Sequence, residues 1–427
     1  MEAEFLWTRW DDTLDAHDHT LAEVEAWVEY RLLGALDGVQ LAGASAIEPL
    51  LADALQQRDL GLVSAAAYVL AVLADPRADR ALEAALRDVP AYRAPAFARG
   101  LGRAGRVPAL HALWARAQDA PAIARAVVLE ALSFCGEAPR ANYTALLEDP
   151  DASLRHAAAS ALRFVPAAVL DTYLQVALDS EDTGVRNRAI TAGTAAGNPH
   201  CWRSCLRHVK APGPDCGPLL LLAGLLGSAR EVGWLIDTLK EPVLCRDALW
   251  ALGFAGTASA VEACLAQLEA GRHAAVASEA VRAITGLDLH QASLVGRAKP
   301  VQSDADDDTD DLDAVLVPTG DALLPAPDVA GIQQWWAHHR ARFDPAVHYL
   351  GGRPKTISAL QHALEHGATR RRHALALEFA ARSGGACIVQ TLGFCREQRR
   401  QLDRASAFAP STRRDATRAA FQPLAEG

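Results

Sequence analysis

Several things are scarce in this chain of 427 residues. Aromatic residues make up only 6% of a sequence that is 50% hydrophobic, and methionine occurs once. Apolar volume must come from Ala, Leu and Val, whose small side chains let helices approach closely. A sheet protein would draw on more aromatic and β-branched residues. No apolar run is long: the longest, about Pro218 to Gly227, is half of what crosses a bilayer. The acidic start Met1-Glu2-Ala3-Glu4 lacks the apolar stretch of a secretory signal. The eight cysteines follow no short disulfide-scaffold spacing, so reduced thiols in a cytoplasm are expected. No Walker-type G-x-x-x-x-G-K and no G-x-S-x-G elbow occurs. Gly100-Leu-Gly102-Arg103-Ala-Gly105 matches G-x-G-x-x-G only as a string, because it ends a helix instead of following a strand.

Positive charge is scarce where most of the chain lies. Residues 1–330 hold 27 Lys plus Arg against 45 Asp plus Glu, a balance of −18. Residues 331–427 hold 15 against 7, a balance of +8. An acidic body with a basic tail should repel nucleic acid and anionic membranes and attract basic proteins.

What the chain has is repetition. Apolar helical segments end in a small residue or a breaker at Ala74, Gly105, Gly136, Pro166, Gly197, Gly227, Gly256 and Gly286, at steps of 31, 31, 30, 31, 30, 29 and 30. Leu154-Arg155-His156-Ala157-Ala158, Val185-Arg186-Asn187-Arg188-Ala189 and Leu244-Cys245-Arg246-Asp247-Ala248 align at this period. Each period reads as two helices. Pro76, Pro108, Pro139 and Pro199 follow the enders closely and open the first helix. Val261, Leu265 and Leu268 show its apolar spacing. An acidic turn follows, at Asp88, Asp119, Glu148 to Asp151 and Asp179 to Asp182, where carboxylates cap the second helix. That helix is small and apolar, as in Ala157 to Leu162. Since one such pair cannot bury its own apolar face, stacking of neighbours is expected.

The array resembles HEAT-like repeats over roughly residues 45–290, the short bacterial type near 30 residues found in phycobilin-lyase relatives. The expected fold is all-α, a HEAT-like α-solenoid of about eight two-helix repeats. An N-terminal helical cap (1–43) precedes the array (44–290). An acidic Pro/Asp-rich linker (291–330) and a basic helical C-terminal module (331–427) follow it. The tail should be helical over Ile332 to Phe343, Ile357 to His366 and Ala368 to Arg382. Trp335-Trp336, Arg342-Phe343, Tyr349-Leu350-Gly351-Gly352 and Arg371-Arg372-His373-Ala374-Leu375, with Ile284-Thr285-Gly286-Leu287-Asp288 and Leu36-Asp37-Gly38, carry a second resemblance. It is to an uncharacterised proteobacterial HEAT-repeat family often encoded near type VI secretion genes. The resemblance implies an intracellular partner role in that setting, immunity or effector handling, and supplies no catalytic residues.

Some HEAT-like enzymes hold paired iron through His-Glu dipeptides, and none of the 14 histidines here precedes Glu. His362, Glu365 and His366 fit H-x-x-E-H, but a third ligand on a following helix is missing. His200, Cys201, Cys205, His208 and Cys216 form a denser cluster. Yet Cys205 and Cys264 share the slot eight residues past an ender, occupied by Leu235 elsewhere, and read as core residues. His17-Asp18-His19, near Asp11, Asp12 and Asp15, reads as the cap of a helix beginning after Thr20. Starting from Asp304, a calcium loop would need Gly and Glu where Thr309 and Val315 stand. Arg93, Arg125, Arg155 and Arg186 are expected to pair with neighbouring acidic turns rather than to bind phosphate.

The sequence thus leads to a non-catalytic protein-binding scaffold without metal or cofactor. Its expected partner surface is Glu148, Asp149, Asp151, Asp179, Glu181 and Asp182 with linker residues Asp304, Asp306, Asp307, Asp308, Asp310 and Asp311. The expected partner is a basic toxin, such as a nuclease neutralised by an immunity protein. The alternative is a secreted effector handled by an adaptor or, further off, a HEAT-like enzyme. Membrane is excluded and nucleic acid is disfavoured.

Overall fold

The computed structural model of the chain describes residues 2–290, 293–296, 320–406, 421 and 424. Asp304, Asp306, Asp307, Asp308, Asp310 and Asp311 lie outside the described residues. The fold is mostly helical, and the chain forms two compact units. One comprises Met1–Ser204 and Leu364–Arg418, the other Cys205–Ala363 and Ala419–Gly427. The residues after the linker are thus shared between the two.

The first unit opens with α1 (Glu2–Thr13), α2 (Leu21–Glu23), a π-helical stretch (Val24–Glu29) and α3 (Tyr30–Leu41). Thr20 starts α2 with a capping box, in which Glu23 reaches back to the Thr20 N–H at 2.8 Å. Helix pairs follow: α4 (Leu60–Leu73), α5 (Pro76–Arg87), α6 (Ala94–Ala104), α7 (Val107–Arg116), α8 (Ala122–Phe134), α9 (Tyr143–Leu147), α10 (Ala152–Ala161), α11 (Ala167–Leu178) and α12 (Thr183–Ala195). The boundary falls inside α13 (Pro199–Lys210). The second unit continues with α14 (Gly217–Leu226), α15 (Ala229–Thr238), α16 (Cys245–Ala255), α17 (Ala258–Ala270) and α18 (Ala274–Thr285).

The expected enders fall between these pairs. Six of the eight, Ala74, Gly105, Gly136, Gly197, Gly256 and Gly286, have positive φ, the left-handed ending that stops a helix. Gly227 ends α14 with extended backbone instead, and Pro166 stands one residue past the extended Val165 as the N-cap of α11. Asp75, Asn142, Asp151, Asp182, Ser228 and Thr257 start helices by accepting main-chain N–H groups.

The two helices of a pair differ in burial. In α14 Leu219, Leu220, Leu222, Ala223, Leu225 and Leu226 are all buried, so the helix is surrounded. In α5 only Ala78, Leu82, Ala85 and Leu86 are, one stripe at helical spacing. Within the first unit α4, α6, α8, α10 and α12 pack each on the next, and within the second α14, α16 and α18 do. Small residues set the approach: a Cβ at Gly224 would run into the Ala251 carbonyl of α16.

In the second unit the ends of the linker stretch meet, with the Gly296 N–H donating to the Ala326 carbonyl at 2.8 Å. Helix α19 (Val329–His339) and a ribbon of β1 (Tyr349–Leu350) against β2 (Arg353–Pro354) follow, and the boundary with the first unit falls inside α20 (Ile357–His366). The ribbon departs from the expected all-helical tail. Its turn is Gly351-Gly352, both at positive φ, a pairing typical of tight hairpins. It sits on the C-terminal ends of α16 and α18. Tyr349 N–H donates to the Gly256 carbonyl at 2.7 Å, Gly351 N–H to Ala283 at 2.8 Å and Lys355 Nζ to Phe254 at 2.9 Å. These carbonyls have no partner within their own helices, so the ribbon satisfies them.

In the first unit α21 (Thr369–Arg382) and α22 (Cys395–Ser406) complete the tail, and α22 is a helix the sequence reading did not anticipate. The loop between them covers helix ends as the ribbon does. Gln390 Nε2 donates to the Phe134 carbonyl at 3.2 Å, and the Leu392 carbonyl accepts from Arg103 Nε at 2.9 Å. The N-terminal helices hold the tail from the other side. Buried Glu29 accepts from Trp10 Nε1 at 2.9 Å and from the Cys395 N–H, so it caps α22. Burial first raises the Glu29 pKa, and the Cys395 N–H opposes the rise. Trp7, Trp10, Tyr68 and Phe394 pack ring against ring beside it.

Candidate functional site

The acidic turns of the first unit divide into two sets. Asp149, Asp151 and Asp182 are engaged by their own scaffold. Asp151 accepts from the N–H groups of Ser153 and Leu154, and Asp182 from those of Gly184 and Val185. Arg125 on α8 reaches Asp149 in the next pair at 3.1 Å, and Arg155 on α10 reaches Asp182 at 2.8 Å. Arg125 and Arg155 therefore tie successive helix pairs together, as expected. Arg93 and Arg186 instead donate to main-chain carbonyls, those of Leu55 and of Ser180 and Glu181. Burial would raise the Asp182 pKa, but donors at Arg155, His156 and the Val185 N–H hold it well below the usual carboxylate range.

The other set faces water. Glu148, Asp179 and Glu181 are exposed. Glu148 lies in the turn between α9 and α10, and Asp179 and Glu181 in the turn between α11 and α12, one helix pair later. The rigid carboxylates beside them fix the turns that present them.

The candidate metal clusters are placed as follows. Among the described residues no group of three or more His, Cys, Asp or Glu could hold a metal ion. Cys201, Cys205 and Cys216 are buried, and burial pushes Cys201 up to about 12 and Cys216 up to about 11, so both are thiols at neutral pH. Cys205, Leu235 and Cys264, the shared slot, are each fully buried. His366 lies 3.6 Å from Glu365 on α20, both solvent-exposed in part. His19 Nδ1 meets Asp18 at 2.8 Å, and it is Thr20, not the His-Asp-His triplet, that caps the following helix.

A second candidate lies in the first unit and was not visible in the sequence reading. A cleft of about 700 Å³ opens between the C-terminal ends of α6 and α8 and the loop and helix around α22. Phe134, Ile388 and Phe394 form apolar walls. Arg396, Arg400 and Arg404 line it from one stripe of α22, and Arg103 lines it from α6. Arg103 is buried and shares one carboxylate, Asp11, with Arg99, at 2.8 and 3.1 Å. Its guanidinium also lies over the Trp10 ring, 4.7 Å from the centroid. Burial lowers its pKa to about 10, which leaves it a cation at neutral pH. Cys135 also lines the cleft, and burial, reinforced by Glu137 and Glu397, pushes it up to about 11. No thiolate is on offer there. The only signal in the sequence was the arginine spacing 396, 400, 404, because the walls come from residues more than 250 positions apart.

No protein-family model matches the chain. No curated protein matches it either. Among solved structures, human deoxyhypusine hydroxylase in complex with glycerol is 18% identical with a TM-score of 0.23, covering 58% of this chain and 95% of its own. An engineered protein is 15% identical with a TM-score of 0.26, covering 89% and 98%. Another engineered protein is 19% identical with a TM-score of 0.21, covering 55% and 93%. No residue role is carried across from any of them. Among the described residues no helix is long and apolar enough to cross a membrane.

Proposed function

We propose that the chain is a HEAT-like α-solenoid of about eight two-helix repeats that acts as a protein-binding scaffold and not as an enzyme. The observation that carries this reading is the division of labour in the acidic turns. Asp149, Asp151 and Asp182 are spent on capping and on arginine pairs, and leave Glu148, Asp179 and Glu181 exposed on turns held in place. Preorganised charge of one sign favours encounter with a partner of the other sign and selects against the wrong one. The partner is a basic protein. The resemblance to the family of type VI secretion loci makes that partner a toxin effector and this chain its immunity protein.

The test is co-expression with basic toxin effectors of type VI secretion loci. The complex should form with the wild-type chain and be lost in the Glu148→Lys, Asp179→Lys, Glu181→Lys triple variant. Cells lacking the protein should be killed by their own toxin. Loss of toxin secretion without self-killing would reassign the chain to an effector adaptor, and retention of the complex by the triple variant would refute the acidic surface.

A further inference from the structure

The cleft on the first unit is not used by the scaffold reading, and its charge is opposite to that of the acidic turns. Four arginines and one carboxylate, Glu397, line it, so its walls carry +4 − 1 = +3. Every cation is an arginine. A guanidinium offers a planar fork of donors that matches the two oxygens of a carboxylate or phosphate, which a lysine cannot do.

Arg396, Arg400 and Arg404 stand four residues apart on α22, so the helical rise separates them by about 6 Å each. Arg400 is drawn onto Glu397. Arg396 and Arg404 are exposed and have no ion-pair partner among the described residues. Deeper in, the side chain of Arg103 is 1% exposed, and its Nη1 has no hydrogen-bond partner. A buried guanidinium nitrogen left unfilled costs stability unless something else accepts from it. Asp11, shared with Arg99, neutralises only one of two charges.

The apolar part of the cleft is as definite. Phe134 and Phe394 are half-buried, and Val107 and Ile388 lie beside them. The volume of about 700 Å³ is in the range of small-ligand sites.

We propose that this cleft binds an amphipathic oxyanion of small-molecule size, with a carboxylate or phosphate head held by Arg396 and Arg404 at the rim and an apolar body against Phe134, Ile388 and Phe394. Arg103 supplies positive potential from below without having to move. The head is the shared chemistry, and its source, a fatty carboxylate or an alkyl phosphate, is separated by experiment.

The test is isothermal titration of the full chain with decanoate, with decyl phosphate and with inorganic phosphate, all below micelle formation. Decanoate and decyl phosphate should each saturate at one per chain and compete with one another. Inorganic phosphate, lacking the body, should bind at least about tenfold more weakly, since each buried methylene adds about 0.8 kcal/mol. The Arg396→Ala, Arg404→Ala double variant should weaken both probes by about tenfold or more, because each loses charge-assisted hydrogen bonds. Both positions are exposed, so the fold should survive, as far-UV circular dichroism will verify. Arg399→Ala is the control: it removes the same charge from the same helix, but Arg399 pairs with Glu25 at 2.6 Å and does not line the cleft. Its affinity should stay at the wild-type value. Absence of saturable binding by both amphipathic probes overturns the proposal. So does an equal loss in Arg399→Ala, which would reduce the effect to general attraction by a basic helix. The tighter of the two probes identifies the head.

Discussion

Replacing Gly256 by Ala should cost far more than the same replacement at Gly105, although both residues end a second helix at positive φ, +74° and +66°. The shared part of the cost is conformational. A side chain in the left-handed region costs about 1–2 kcal/mol, offset by about 0.4–1 kcal/mol from the reduced freedom of the unfolded chain. At Gly105 nothing lies within 4 Å of an added Cβ, so the net cost there should stay between about 0 and 1.6 kcal/mol. At Gly256 an added Cβ would stand 2.5 Å from the Tyr349 carbonyl oxygen and 2.9 Å from its nitrogen. Main chain cannot swing aside as a flexible side chain can. The ribbon must lift, breaking the 2.7 Å hydrogen bond from Tyr349 N–H to the Gly256 carbonyl and straining its neighbour from Lys355 to Phe254. An unmade buried hydrogen bond costs about 1–3 kcal/mol and overpacking a further 1–3 kcal/mol, so the total should reach about 3–5 kcal/mol. Urea denaturation followed by circular dichroism measures both variants on one scale. Equal costs at the two positions would refute the argument that the tail ribbon is seated on the helix ends. Ala74 occupies the same slot at φ 55° and supplies the reverse test: Ala74→Gly should stabilise by a few tenths of a kcal/mol or more.

Three further outcomes are expected. Asp182→Ala should destabilise by about 2–3 kcal/mol through loss of the cap and the Arg155 pair, while Asp182→Asn, which keeps a good cap, should lose about 1 kcal/mol. Because its folded pKa is depressed, the Asp182 contribution is complete above the ordinary value of 3.8 and drains away as pH falls below it, so Asp182→Asn should flatten the acid limb of stability against pH. Glu29→Ala should uncap α22 and leave Trp10 Nε1 without its acceptor, costing about 2–4 kcal/mol in urea denaturation. Thiol titration with a disulfide reagent should find eight reactive cysteines in denaturant but at most one, slow, in the native chain, since only Cys135 of the eight is not buried and its pKa is about 11. Three or more fast thiols would contradict the packing of Cys201, Cys205 and Cys264.

The helix pairs were legible in the sequence because helix stops are local. A left-handed ending needs Gly or a small residue, and a following cap needs Asp, Ser, Thr or Asn, so both leave marks at fixed steps. The coupling of Arg125 and Arg155 to the next acidic turns was legible for the same reason. Helix α22 was not, because Cys395 to Ser406 offers only three apolar residues, Cys395, Leu402 and Ala405, among a run of charged and polar ones, too few to mark a core-facing helix although they share one face. Its start is fixed by Glu29, far away in sequence. The ribbon was missed although Gly351-Gly352 was in plain view, because its strands are only two residues long and depend on carbonyls of α16 and α18. The basic cleft combines both problems: its walls belong to α6, α8 and the tail, and only folding brings them together. The acidic turns showed the opposite limit, since their charge and capping role were evident but which of their carboxylates, Glu148, Asp179 and Glu181, would be left exposed was not.

The central claim is that the exposed acidic turns capture a basic protein. Affinity purification from native extract compares the wild-type chain with the Glu148→Lys, Asp179→Lys, Glu181→Lys variant, at low salt and at about 1 M salt, where the screening length falls to about 3 Å. The account predicts a basic protein that is retained by the wild type at low salt, is released at high salt and is missing from the variant. Identical sets of retained proteins for the two chains would contradict it.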